Sequence, residues 1–145
     1  MLLGSSNDNR INIKKSMEQS FHQINIIVPE KDFPENYYYS IIKFEEFLFC
    51  KREINLIFIN ISSPGSSFEY GYFYNFTKIS KKLILCIYHK YHHLYSSSSS
   101  MLTNTYTYYD INYGHVYPVK NEDENYNFKT FEELIKFFIL YLQNY

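Results

Sequence analysis

Tryptophan is absent from this chain, and glycine and proline are scarce, with four of each in 145 residues. Isoleucine, asparagine, lysine and tyrosine are favoured instead, the imprint of an AT-rich coding genome more than of a stacking function. Strong charge of either sign is also missing: 14 Lys and Arg against 15 Asp and Glu leave a formal net charge of −1. That balance removes the electrostatic footprint of a duplex nucleic-acid binder. The 17 Tyr and 13 Phe therefore lack the basic groove that accompanies an aromatic platform for single strands. No apolar signal region opens the chain and no run of ~20 apolar residues occurs, which argues against secretion and a membrane span and for a cytoplasmic protein. The two cysteines, Cys50 and Cys86, form no metal-binding or redox spacing. Both sit in apolar runs and read as small buried hydrophobes in a reducing compartment.

What is present is one domain, residues 1–145, long enough to bury a sizeable core. Met1-Leu2-Leu3 reads as the end of a first strand, followed by a polar loop. Ile13, Met17 and Phe21 share one helical face over 11–22, with Ile11 at its margin. Ile24 to Val28 is an apolar strand candidate stopped by Pro29. Residues 37–50 read as a second helix, 54–61 as a third strand, 66–79 as a third helix and 82–88 as a fourth strand. From His89 to Tyr113 the pattern fails. The serine run Ser96 to Ser100 cannot build a core, so 89–113 is expected to be a long polar surface loop, a lid in the functional reading. A weak fifth strand, 115–119, a charged loop, 121–127, and a helix capped by Thr130 close the chain, with Phe131, Leu134, Ile135, Phe138 and Leu142 as the helix stripe. Apolar strands alternating with helices predict an α/β fold, a single doubly wound, flavodoxin- or Rossmann-like domain with a parallel sheet of about five strands.

In such sheets ligands gather at the strand carboxyl ends. The most informative stretch lies there: Ser63-Pro64-Gly65-Ser66-Ser67-Phe68-Glu69-Tyr70-Gly71, directly after the run Leu56 to Ile61. Pro64 and Gly65 are expected to shape the turn, and Ser66 or Ser67 to cap the next helix. Glu69 then falls in the first helical turn, placed to act as a nucleophile or acid/base group. A glutamate there also interacts favourably with the helix dipole, by about 0.3–1 kcal/mol.

A strand, a short polar loop, then x-x-Glu-x-Gly resembles the nucleoside 2-deoxyribosyltransferase superfamily. The longer form, Ser-Pro-Gly-Ser-x-x-Glu-x-Gly followed by an aromatic, is similar to the deoxyribosyltransferase-like effectors of bacterial retron antiphage systems. Leu2-Leu3-Gly4-Ser5-Ser6 resembles that family's first strand and loop, Pro29-Glu30 with Phe33 the end of its second strand, and Lys81 to Leu85 its fourth. The resemblance covers about residues 2–90. It implies N-glycosidic bond chemistry on a nucleoside, nucleotide or NAD, with Glu69 attacking the anomeric carbon through an oxocarbenium-like state. Ser63 replaces the aspartate that classical transferases carry six residues before the glutamate, so the resemblance does not supply a base-recognising group. The second carboxylate is open among Asp8, Glu30 and Asp32.

Gly4, Ser5 and Asp8, with Ser63, Gly65, Ser66 and Ser67, are the candidate substrate-binding residues. Arg10 is a possible phosphate partner for the first loop, and a polar turn or plain cap is the competing role of each segment. His89, His92 and His93 show no zinc-ligand geometry and His115 reads as a surface strand residue, so no metal or cofactor is expected. Two non-enzymatic functions compete with glycosidic chemistry: a nucleotide sensor of the same fold, and an interaction domain. A homo-oligomer is expected, because Tyr37 to Tyr39, Phe44, Phe47, Tyr70, Tyr72, Phe73, Tyr74 and Phe76 exceed what one core stripe per helix absorbs. Partner proteins of a defence system are implied by the resemblance alone.

Overall fold

A computed structural model describes residues 1–3, 9–37, 40–95, 100–119 and 124–144. The candidate residues Gly4, Ser5 and Asp8, and the serine run 96–99, lie outside the described residues. In chain order the elements are β1 (Leu2–Leu3), α1 (Asn9–Ser20), α2 (Pro29–Asp32), α3 (Pro34–Tyr37), α4 (Ile41–Phe49), β2 (Ile57–Ile61), α5 (Pro64–Phe73), α6 (Thr77–Ser80), β3 (Leu83–Tyr88), a 3₁₀ turn (His89–Tyr91), α7 (Met101–Tyr113), β4 (Val116–Val119) and α8 (Glu124–Asn144). Among the described residues the sheet has four strands in the order β1-β2-β3-β4. All neighbours are parallel, with Leu3 beside Ile59, Ile59 beside Leu85 and Leu85 beside Val116.

Side chains alternate across the sheet, and helices cover both faces. On one face Leu3, Ile57, Ile59, Leu83 and Leu85 pack against Phe49 of α4, Tyr70 and Phe73 of α5, and Tyr106 and Tyr109 of α7. On the other, Leu2, Phe58, Ile84 and Cys86 pack against Ile13 and Met17 of α1 and Phe131, Ile135 and Phe138 of α8. Strands buried on both sides must read as continuous apolar runs, which is why Leu56 to Ile61 and Leu83 to Ile87 stand out in the sequence.

The sheet has four strands where about five were expected, and the difference lies at Ile24–Val28. This segment runs beside β1, and the Leu2 N–H donates to the Ile27 carbonyl at 2.9 Å. Its own N–H groups are taken elsewhere: Ile26 donates to the Glu18 carboxylate at 2.9 Å and Val28 to that of Asp32 at 2.7 Å. Side-chain acceptors have replaced the ladder, so Ile26 and Val28 are buried as strand residues would be without being a strand. With this segment at the edge, the chain order across the sheet is second, first, third, fourth, fifth. That is a doubly wound order whose direction reverses between β1 and β2.

Residues 101–113 form helix α7 instead of the expected polar loop. Ser100 caps it by accepting from the Thr103 N–H at 3.0 Å, and Gly114, at φ 71°, ends it in the left-handed conformation. Thr103, Tyr106 and Tyr109 supply its buried stripe. Tyr109 is 0 % exposed and donates its hydroxyl to the carbonyls of Ser80 and Leu83. Weak helix formers are overridden here by packing and caps.

Three smaller expectations are corrected. Helix α5 begins at Pro64 and ends at Phe73, with α6 as a separate turn, where one helix over 66–79 was expected. Thr130 lies inside α8, not at its start, and Leu142 is exposed instead of joining the stripe. Cys86 is buried as expected but Cys50 is exposed, because it caps the carboxyl end of α4 beyond the last core residue, Phe49.

Candidate functional site

The winding reverses between β1 and β2, and α5 begins just beyond the carboxyl end of β2. Its start is tightly built. Ser63 is the N-cap, accepting from the Ser66 N–H at 3.2 Å. The Ser66 hydroxyl accepts in return from the N–H groups of Ser62 and Ser63 and donates to the Ser63 carbonyl at 3.0 Å. This reciprocal capping box satisfies orphan donors of the first turn, and Pro64 at the first helical position needs no N–H partner. The cap is therefore Ser63, not Ser66 or Ser67, and Glu69 falls in the second turn of the helix, one turn later than expected. Ser66, buried with its hydroxyl engaged, serves the helix start. Gly65 is exposed, and an added Cβ there would meet only the Ser63 hydroxyl at 3.7 Å, an ordinary contact.

Two different environments flank the start of α5. On the β3 side, Ser62, Ser63 and Ser67 line a cleft of about 190 Å³ with Tyr88, Lys90 and Tyr106. The Ser62 hydroxyl is shut off from solvent without a hydrogen-bond partner. The Ser67 hydroxyl donates to the Ser63 carbonyl at 3.1 Å. A second hollow, of about 290 Å³, lies at the opposite, amino edge of the sheet among Ile24 to Ile27, Leu56 and Ile135, and holds none of the candidate residues.

On the α4 side lies a cluster of ionisable groups: Glu69 from α5, Glu45 from α4, Arg10 from α1 and Glu30 from α2. Arg10 is buried and forms an ion pair with Glu30. Its Nε atom and the Glu69 Oε2 atom are both buried without a hydrogen-bond partner. Burial first, and then the neighbouring Glu45 carboxylate, pushes the Glu69 carboxyl from its ordinary 4.5 up to about 8. Glu30 adds to the rise, while Arg10 pulls the other way. Three carboxyl groups around one guanidinium make a site that favours positive charge, and a proton is the smallest such charge.

The structure separates the candidates for a second carboxylate. Glu30 faces Glu69 from α2. Asp32 is engaged elsewhere, accepting from Lys14 Nζ at 2.7 Å and from the Val28 N–H. Asp8 lies outside the described residues. Glu45, which the motif reading missed, is 0 % exposed. Its signal was present in α4: Glu45, Leu48 and Phe49 are its buried residues, so an acid occupies a core position in an amphipathic stripe. Arg10, one candidate phosphate partner for the first loop, forms its ion pair with Glu30.

The histidines lie apart from this cluster. His115 precedes β4 at its amino end and packs edge-on against Phe138 of α8, 5.6 Å between ring centroids. His92, His93 and Asp110 bring their ligating atoms within 4.8 Å of one another. Both ring nitrogens of His92 are already engaged, however: Nδ1 accepts from the Leu94 N–H at 3.3 Å and Nε2 lies 3.2 Å from the Val116 carbonyl. His92 is thereby a buried anchor of the turn after β3, and burial lowers its proton affinity.

Comparisons with curated proteins and with solved structures returned no match. A family model described as STM3845 retron effector protein matches residues 6–100. The matched segment runs from the start of α1 past β3 and contains Arg10, Glu30, Glu45 and Glu69. It covers well over half of the 145 residues, and on that extent the chain belongs to the STM3845 retron effector protein family.

Proposed function

We propose that this retron effector is an N-glycosidase or N-glycosyl transferase of the nucleoside deoxyribosyltransferase-like kind, acting on a nucleoside, nucleotide or NAD in antiphage defence. The observation that carries the reading is Glu69: a mostly buried carboxyl at the carboxyl end of β2, beside the point where the sheet's winding reverses, with its proton affinity shifted into the working range of an acid/base group. In the proposed reaction a Glu69 oxygen bonds to the anomeric carbon. The C–N bond breaks, and its electron pair leaves with the base, which takes up a proton. Water or a second base then attacks the same carbon and releases Glu69. Because only the ionised carboxylate can attack, base release rises with pH until about 8 is reached.

The cleft of Ser62, Ser63, Ser67 and Lys90 suits the phosphate or hydroxyl groups of the same substrate. It also supports the alternative, a nucleotide sensor without chemistry. Incubation with a panel of nucleosides, nucleotides and NAD, read by chromatography for free base, separates the two. Released base that disappears in Glu69→Gln supports the enzyme. Ligand-induced thermal stabilisation without released base supports the sensor, and wild-type activity in a folded Glu69→Gln variant overturns the catalytic role of Glu69.

A further inference from the structure

The proposed reaction leaves Glu45 without a task, although it is an acid at a helix core position with 0 % exposure. Its placement is specific. Helices α4 and α5 cross through Phe49 and Phe73, whose ring centroids are 4.6 Å apart. Glu45 lies four residues before Phe49 and Glu69 four residues before Phe73, so each carboxyl stands one turn earlier on the same face of its helix. On the same pair of helices, the Tyr72 hydroxyl donates to the Glu46 carboxylate at 3.0 Å, and Lys43 Nζ lies 3.0 Å from that hydroxyl. In α5 both contacts fall within about one turn of Glu69, on its carboxyl-terminal side. Among the described residues, the charged groups facing Glu69 are Glu45 from α4, Arg10 from α1 and Glu30 from α2. Arg10 and Glu30 form an ion pair with each other.

We propose that Glu45 is the positioning residue of this site, fixed across the Phe49–Phe73 contact so that its carboxyl and that of Glu69 hold one proton between them. Two buried carboxylates facing each other disfavour each other's ionisation, so the pair keeps a proton more readily than either group alone. When the proton sits on Glu69 the site is at rest. When it sits on Glu45, Glu69 is ionised and able to attack. No bond other than O–H is made or broken in this exchange.

The test reads protonation directly. Side-chain carboxyl ¹³C shifts are followed against pH in the wild-type chain, in Glu45→Gln and in Glu69→Gln. In Glu45→Gln, the Glu69 titration is expected to move down by about one pH unit or more, a tenfold rise in its ionised fraction near neutrality. Glu69→Gln moves the Glu45 titration by a comparable amount, because the interaction is mutual, and this arm decides if Glu45→Gln does not fold. A Glu69 midpoint unmoved within a few tenths of a unit in a folded Glu45→Gln variant overturns the pair. The interpretation of the exchange rests on Glu69 being the reacting carboxylate, but the titration does not. A shifted midpoint with no base released from any panel compound sustains the pair and removes the glycosidase.

Discussion

A carboxyl held neutral by its surroundings makes the fold itself sensitive to alkali, and Glu69 allows the size of that effect to be worked out. In the unfolded chain it ionises near 4.5 and in the folded chain near 8. Between those values the unfolded state has released a proton that the folded state still holds. The sign follows: Glu69 costs nothing below about pH 4.5, and its cost grows as pH rises to about 8, then stays constant. At 1.36 kcal/mol per pH unit, the interval from 4.5 to about 8 amounts to about 4–5 kcal/mol. Partial exposure lets solvent screen the charge, which brings the expected cost to about 2–4 kcal/mol. Domains of ordinary stability have ~5–15 kcal/mol in total, so this one group is a large part of the balance. Glu69→Gln keeps the shape and removes the ionisation. Urea denaturation followed by far-ultraviolet circular dichroism, at pH 5 and again at pH 8.5, should give nearly equal midpoints at the lower pH. At the higher pH the variant's midpoint should lie about 1–2 M above wild type, for an m value of about 2 kcal/mol/M. Parallel wild-type and variant stabilities from pH 5 to 8.5 would refute the reasoning, since they would mean that Glu69 ionises in the folded chain as freely as in the unfolded one.

Three further outcomes follow from other parts of the fold. Ser63→Ala removes the N-cap and half of the capping box of α5, and should cost about 1–2 kcal/mol in the same urea assay. Gly71→Ala fills open space, since nothing lies within 4 Å of an added Cβ; it should raise stability by about 0.5–1 kcal/mol, and a loss would show that α5 needs glycine there. Phe47 and Phe68 stand 60 % and 64 % exposed on α4 and α5, so light scattering over a concentration series should show a dimer that Phe68→Asp dissociates; a monomer with undiminished specific activity on dilution removes this assembly.

The layered α/β architecture was legible because strands buried on two faces have to be apolar throughout, and Leu56 to Ile61 and Leu83 to Tyr88 carry that mark. The strand at Ile24–Val28 looked equally apolar, but Glu18 and Asp32 divert its N–H groups. A carboxylate arriving from another turn leaves no local trace in a strand pattern. Helix α7 was hidden by its composition, although Ser100, Tyr106, Tyr109 and Gly114 are its cap, stripe and stop. Many of the aromatic residues that pointed to an interface proved to be core: Tyr70 and Phe73 are buried, and Phe44, Tyr72, Tyr74 and Phe76 pack against them. Of the candidate site, Glu69 was singled out by its motif. Glu45 was not, because the sequence shows an acid among apolar residues without showing that a second helix brings another acid opposite it.

The two thiols give the molecule a built-in pair of reporters. Cys50 is exposed at the end of α4, three residues past Phe47, whereas Cys86 lies in the centre of the sheet with 0 % exposure. Burial pushes the Cys86 thiol up to about 12, which adds poor reactivity to poor access. A maleimide therefore tags the folded chain at a single position, close to the face on which a second copy would dock. The second equivalent is taken up only by chains that have opened their sheet, so the ratio of doubly to singly tagged protein counts unfolding events in the native population.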